Sequence, residues 1–529
     1  MRQFIRYCFE EKPLLFCIWA GFFFRIVAVL LSQGIAFGYD HYVYVENAQH
    51  LAAGAATIQQ IVDQDGGKAF ISHGHSLIYL YINTAILGAC EIAGIFDPKS
   101  KMLILRLLHA MLSMLTIYYC YRITYRLANR KAALAIGILT SMLWFMPCMS
   151  VRTLPENVAA VLLLAATYRL AKTRRQTYKF ADDIFTGFLM GVSVTFCYNL
   201  VLLILGAAIS LLLKSGIKRA LLLLFGAAIS ILALEGLTNT LILGTPFYIL
   251  GEYIRNIISG SNAISGPRSF YMYISILVMI IPLPWGLAGI FGYVKSWKHC
   301  FLLFWPVTIY LSVSYLLPNK EEKFMLAILP LFLILCSTGW FRYMAESRFW
   351  TTRPRLRKWC GISFFVVNIP MLMLATIAYV RKPQVETMIH LSRHKADISS
   401  LMVENSQSDG CKSLPQFFMG KDVDIYILNR QDSEPDRSIA YSSASASPSS
   451  REHYIYTERF FHNPLMREQP QYVIFCGDNN MPERLARMRG IFPQLSYETS
   501  FSPSLADIIV EMFNHRNSNT VLHVYRTTQ

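Results

Sequence analysis

Long apolar stretches broken by short basic loops fill roughly the first 380 positions of this chain. A helix that crosses a bilayer needs about 20 mostly apolar residues. Stretches of that kind occupy 13–36, 103–121, 132–150, 153–171, 217–236, 271–292, 300–317, 323–341 and 359–381. The run 184–213 is too long for one crossing and is read as two. About eleven spans result, and the predicted fold is an all-α polytopic membrane protein. The pattern changes after residue 382. Strand-like runs at 422–428, 471–476 and 520–525 surround a helical segment at 482–489 and a serine-rich stretch at 442–450. Residues 1–382 are thus read as the membrane domain and 383–529 as an extramembrane α/β domain without a nucleotide fingerprint.

Loop charge sets the orientation. Lys and Arg gather at 122–131, 169–179, 214–219, 295–299 and 342–358, and such loops stay cytoplasmic. All of them fall inside, with the N-terminus, if 74–95 lies in the interface as a helix and does not cross. Letting 74–95 cross puts the 122–131 cluster outside. The preferred arrangement places 37–73, 151–156, 237–270, 318–323 and the C-terminal domain on the outer face.

Composition agrees. Charged residues are 16% and hydrophobic ones 54%, against about 25% charged in ordinary globular chains. Disorder, a fibrous protein and a disulfide scaffold are excluded. The net charge of +16 is what basic cytoplasmic loops produce, and it implies no nucleic-acid partner. The eleven cysteines are scattered without a CxxC or Cys/His cluster, so no zinc site is expected. The first apolar run, after Arg2, Arg6 and Lys12, reads as a retained anchor.

The polar residues of interest gather on the outer segments. Loop 38–54 holds Asp40, His41, Glu46 and His50, with a helix expected from about 41 to 53. Asp40 either caps that helix or acts as a general base at the membrane boundary. His73 and His75 follow, suited to interfacial hydrogen bonding. Arg152 sits at an outer surface turn ahead of a helix begun by Pro155, with Glu156 in its first turn. These are a capped helix start with a snorkelling arginine or part of a site. Asn319, Lys320, Glu321, Glu322 and Lys323 interrupt two spans at the surface, where Lys320 and Lys323 suit a lipid phosphate, as does Arg268. Arg25 and Glu235 lie deepest in spans, either functional or paired with each other.

The segment Asn319-Lys320-Glu321-Glu322-Lys323-Phe324 with Leu329-Pro330-Leu331 resembles the His-Lys-Glu-Glu-Arg-Phe…Pro-Leu signature of the GT-C α-mannosyltransferases of GPI-anchor and dolichol-oligosaccharide assembly. Arg152-Thr153-Leu154-Pro155 with Asn157 is similar to their Arg-Thr-Leu-x-Asn turn, and Asp40, Glu46 and Gly54 match the spacing of their first luminal loop. Asn319 replaces the signature's His, Lys323 its Arg, and Tyr39 the first member of an Asp-Glu pair. The resemblance implies an inverting transferase. It would move a sugar, mannose by analogy, from a polyprenyl phosphate to a hydroxyl of a lipid-linked glycan or similar acceptor. Asp40 or Glu46 would be the catalytic carboxylate. Arg152, Arg268, Lys320 and Lys323 would bind the donor phosphate, with His73, His75, Glu321 and Glu322 lining the substrate site. No metal or other cofactor is implied, since the leaving group is already a phosphate. Membrane lipid is the surrounding partner, and the layout fits a bacterial inner membrane better than the endoplasmic reticulum. The alternative is a lipid-linked glycan transporter or an O-antigen ligase or polymerase. A transporter's key polar groups would lie at mid-depth and in repeats; a plain scaffold leaves the clustered outer motifs unexplained.

Overall fold

A computed structural model describes residues 10–35, 39–54, 57–58, 61, 76–173, 180–259, 272–317, 322–394, 396–405, 414–428, 451–455, 469–513 and 520–527. The chain divides into two compact units, one of residues 1–30, 71–79 and 105–376, the other of 31–70, 80–104 and 377–529. The second unit thus takes in the tail from Ile377 together with 31–70 and 80–104.

Six helices among the described residues are long and apolar enough to cross a membrane: Pro13–Leu31, Pro98–Leu127, Tyr198–Ser215, Ile217–Leu243, Lys323–Glu346 and Pro354–Thr376. Ile78–Ile92 and Phe301–Leu316 are shorter apolar helices. The run 184–213 is indeed two helices, Phe180–Phe196 and Val201–Ser215, joined by the single turn Tyr198–Leu200. Two other runs differ from their reading as single helices. The run 132–150 becomes Arg130–Met142 and Met146–Ser150, and 271–292 becomes Met272–Met279 and Trp285–Lys295. Proline is the cause: Pro147, and then Pro282 and Pro284, donate no N–H and clash with the carbonyl four residues back.

Helices Phe180–Phe196 and Ile217–Ile231 meet backbone to backbone. A Cβ on Gly187 would lie 1.9 Å from the Leu223 carbonyl oxygen, and one on Gly226 1.9 Å from that of Ile184. Small residues allow this approach in lipid, where apolar side chains gain little by leaving their solvent.

The second unit holds two sheets. Strands β1 (Gln33–Gly34) and β2 (Tyr379–Val380) form a parallel ribbon. Gly34 is required there, since its φ is +83° and a Cβ would meet the Val380 oxygen at 1.8 Å. The larger sheet contains β3 (Ser400–Glu404), β4 (Asp424–Leu428), β5 (Arg451–Ile455), β6 (Tyr472–Cys476), β7 (Leu495–Phe501) and β8 (Leu522–Thr527). Its order is β5-β4-β3-β6-β8-β7, with the first four parallel and the pairs β6–β8 and β8–β7 antiparallel. The three strands and the helix expected from sequence correspond to β4, β6, β8 and Met481–Ile491. Val473, Phe475, Met488 and Phe492 lead a core between sheet and helix. The serine-rich 442–450 stretch lies outside the described residues.

Candidate active site

Arg152 occupies the bend between helices Met146–Ser150 and Pro155–Thr173. Its backbone is held at both ends: its N–H donates to Met149 O at 3.2 Å, and its carbonyl accepts from Leu154 N at 2.9 Å. The Asn157 amide locks the turn by donating to Met149 O at 2.9 Å and Arg152 O at 3.2 Å. Arg152, Thr153 and Glu156 are all fully buried. Pro155 opens the helix, and Glu156 falls in its first turn, as expected. The expectation of a surface residue is corrected for Arg152, and also for Lys323, which is 2% exposed. Lys323 begins the helix Lys323–Glu346, and its chain folds over the Phe324 ring with Nζ 5.4 Å from the centroid. Glu322 precedes it in the turn.

The break between the two helices of 180–215 is the hub of the first unit. Three consecutive residues there each reach a different polar partner. The Cys197 thiol lies within electrostatic range of both Glu156 and Lys323. Tyr198 Oη donates to Glu235 Oε1 at 2.9 Å. The Asn199 side-chain oxygen accepts from Tyr253 Oη at 3.0 Å. Tyr198 and Tyr253 also pack ring to ring, with centroids 5.4 Å apart. From the opposite helix, Tyr310 donates to Phe324 O at 3.0 Å. Cys197, Tyr198, Asn199 and Leu200 are all buried, and these partners satisfy the polar groups among them. The hub was not foreseen. Cys197, Tyr198 and Asn199 are unremarkable inside an apolar run and Tyr253 in the 237–270 segment; the excess length of 184–213 is the available signal.

Glu235 sits in a π-helical turn, Leu232–Leu237, inside the helix Ile217–Leu243. Such turns recur at functional positions. Besides Tyr198, the carboxylate accepts from Asn239 Nδ2 at 3.1 Å and from Ser76. Arg25 is not its partner, which corrects the suggested pairing. The guanidinium donates to the hydroxyls of Ser113 (2.6 Å) and Ser150 (3.2 Å) and to the carbonyls of Gly21, Thr140 and Ser141.

In the second unit, residues after the first span form helix Tyr39–Ala52. Asp40 therefore lies inside the first turn rather than capping it, and the capping expectation is corrected. Glu46 is buried on the same helix. One turn on, Gln49 bridges an ion pair, donating to Glu91 at 2.8 Å and accepting from Lys101 at 3.0 Å. His50 Nδ1 lies 3.4 Å from Asp422. Burial holds its imidazole below the usual range, and Asp422 partly opposes this. His73, His75, Arg268, Lys320 and Glu321 lie outside the described residues. Among the described residues, no three His, Cys, Asp or Glu side chains converge as a metal site would need.

A family model described as the Alg9-like mannosyltransferase family matches residues 74–409, well over half of the chain. No curated protein sequence matches it. Among solved structures, ArnT from Cupriavidus metallidurans bound to undecaprenyl phosphate superposes with a TM-score of 0.60 at 11% identity, covering 98% of each chain. The apo state of the same protein gives 0.54 at 11%, covering 95% of this chain and 96% of that one. An Archaeoglobus fulgidus oligosaccharyltransferase in complex with zinc and sulfate gives 0.48 at 11%, over 88% of this chain and 67% of that one. At 11% identity the likeness to ArnT is one of fold, and it covers nearly the whole chain.

Proposed function

The chain belongs to the Alg9-like mannosyltransferase family and is a multi-pass membrane glycosyltransferase; on that premise we propose that it moves mannose from a polyprenyl phosphate to a hydroxyl of a lipid-linked glycan, with inversion. The family match over 74–409 carries this reading. The bound undecaprenyl phosphate of the similar ArnT structure supports the donor class.

The acceptor oxygen attacks the anomeric carbon as the bond from that carbon to the phosphate oxygen breaks. The acceptor's proton passes to a carboxylate, for which Asp40 is proposed and Glu46 is the alternative. The departing phosphate takes up negative charge. Arg152, Lys323, Lys320 and Arg268 are the cations proposed to stabilise it. His73, His75, Glu321 and Glu322 are proposed to line the substrates. The membrane domain, residues 1–382, would hold the chemistry, and residues 383–529 would form the extramembrane domain. The N-terminus and basic loops are proposed to face the cytoplasm of a bacterial cell, with the C-terminal domain across the inner membrane.

Purified protein supplied with defined polyprenyl-phosphate sugars tests the reaction. Mannose transfer from the mannosyl donor is expected, and transfer of another sugar instead overturns the donor assignment. Asp40→Asn is expected to lower turnover by about 10²–10⁴-fold with stability changed by no more than the ~0.3–1 kcal/mol of a first-turn charge. If Glu46→Gln abolishes turnover and Asp40→Asn does not, the base is Glu46.

A further inference from the structure

Helix Leu505–Phe513 carries its burial inverted. Asp507 is fully buried. Its carboxylate accepts from Arg381 N at 2.6 Å, Lys382 N at 3.2 Å and Ser504 N at 3.1 Å. The Ser504 hydroxyl donates to Tyr379 O. Facing away are Leu505, Ile508, Ile509 and Met512, which are 62, 48, 36 and 71% exposed. Their i, i+3, i+4, i+7 spacing makes one stripe along the helix. Beyond Ile377, the only other large apolar side chain exposed among the described residues is Tyr497. A soluble surface scatters such residues singly; a patch of them marks something that covers it.

The anchorage of the helix identifies the cover. Its hydrogen bonds fix it to residues 379–382. This segment begins three residues after Thr376, the last residue of a membrane-crossing helix. At about 3.3 Å per extended residue, the anchoring backbone lies within roughly 10–20 Å of that helix's end. The paired strand β1 begins two residues after Leu31, the end of another crossing helix. Two separate chain connections thus tether the ribbon, and the helix fixed to it, to the edge of the bilayer.

We propose that helix Leu505–Phe513 lies in the lipid–water interface with Leu505, Ile508, Ile509 and Met512 in the lipid, docking the C-terminal domain onto the membrane surface. An apolar stripe on one side and a polar attachment on the other is the pattern of an in-plane interfacial helix. The occupant is lipid rather than a protein partner because both tethers are membrane-crossing helices. Catalysis plays no part in the argument, so it stands or falls apart from the proposed reaction.

Full-length protein in nanodiscs of phosphatidylcholine and phosphatidylglycerol tests it. Photoreactive benzoylphenylalanine replaces Ile508 or Met512, with exposed Ala486 on the helix Met481–Ile491 as reference. Irradiation is expected to add lipid mass at 508 and 512 and none at 486. Lipid adducts no more frequent than at 486, or adducts to a second protein chain, overturn the proposal. A substitution-free check uses hydroxyl-radical footprinting of the wild-type protein in the same discs. Met512 is expected to oxidise more slowly than the half-buried Met481, and faster oxidation overturns the proposal.

Discussion

Two arginines, Arg25 in the membrane unit and Arg484 in the C-terminal sheet domain, are equally buried at 1% exposure, yet they are neutralised differently. Arg484 is paired with the Glu404 carboxylate and donates to the carbonyls of Glu404, Cys476, Gly477 and Asn479 at the ends of β3 and β6. Every partner of Arg25 is neutral. Its counter-charge is the end of helix Arg130–Met142, which leaves carbonyls without intrahelical donors and carries about half a negative charge. Arg25 takes Thr140 and Ser141, while Asn368 Nδ2 takes Met142 O at 2.7 Å. A sheet domain can bury a full carboxylate. In the spans, a helix broken ahead of Pro147 supplies the negative pole from backbone alone.

The largest effect is expected from breaking the full ion pair. Glu404→Gln leaves Arg484 charged and buried, and should cost about 3–5 kcal/mol. The urea transition of β3 and β6, followed by hydrogen exchange in the full-length protein, measures it. The double change Glu404→Leu with Arg484→Met should cost less than Glu404→Gln alone, since it removes both charges.

Arg25→Met is expected to cost less, about 1–3 kcal/mol, because it strands neutral groups rather than a charge. Thermal unfolding in detergent checks this, and Arg25→Lys should recover only part, lacking the planar fork. A loss as large as that of Glu404→Gln would mean that the two sites are not different in kind.

The same contrast explains what could be read from the sequence. Apolar length located the membrane helices, and short apolar runs rich in β-branched and aromatic residues located β4, β6 and β8. Arg25 and Glu235 were conspicuous as charges in apolar runs, but their partners were not. Those partners are carbonyls, serines, a tyrosine and an asparagine, the nearest four residues away and the farthest, Ser76, in a distant segment of the chain, and none has a pattern of its own. Strand β3 is as buried as β6, but polar Ser400 and Glu404 bound only three apolar residues, too short a run to mark it. The Arg152 turn and Lys323 stand out as candidates, yet their burial comes from packing between helices distant in sequence, which no local pattern reports.

A titratable cation gives the smallest effect. His50 has a carboxylate neighbour, as Arg484 does, but burial outweighs Asp422 and holds its folded pKa below the unfolded value of 6.5. Above that pH the group carries no penalty. As pH falls through it, the unfolded chain binds the proton first, so stability declines until the folded pKa is passed. Thermal unfolding between pH 7.5 and 5 should show a decline of about 1 kcal/mol or less, and His50→Gln should flatten it.

The β1–β2 ribbon sets an order of events during synthesis. Ser32 and its partner Ala378 are separated by 346 residues, so the first strand waits for the second. At 5–20 residues per second the delay is roughly 20–70 s. Throughout that interval the segment bearing Asp40 and Glu46 is without the backbone pairing that later fixes its beginning. The two carboxylates proposed as the base therefore acquire this anchor only when the last membrane helix has been made.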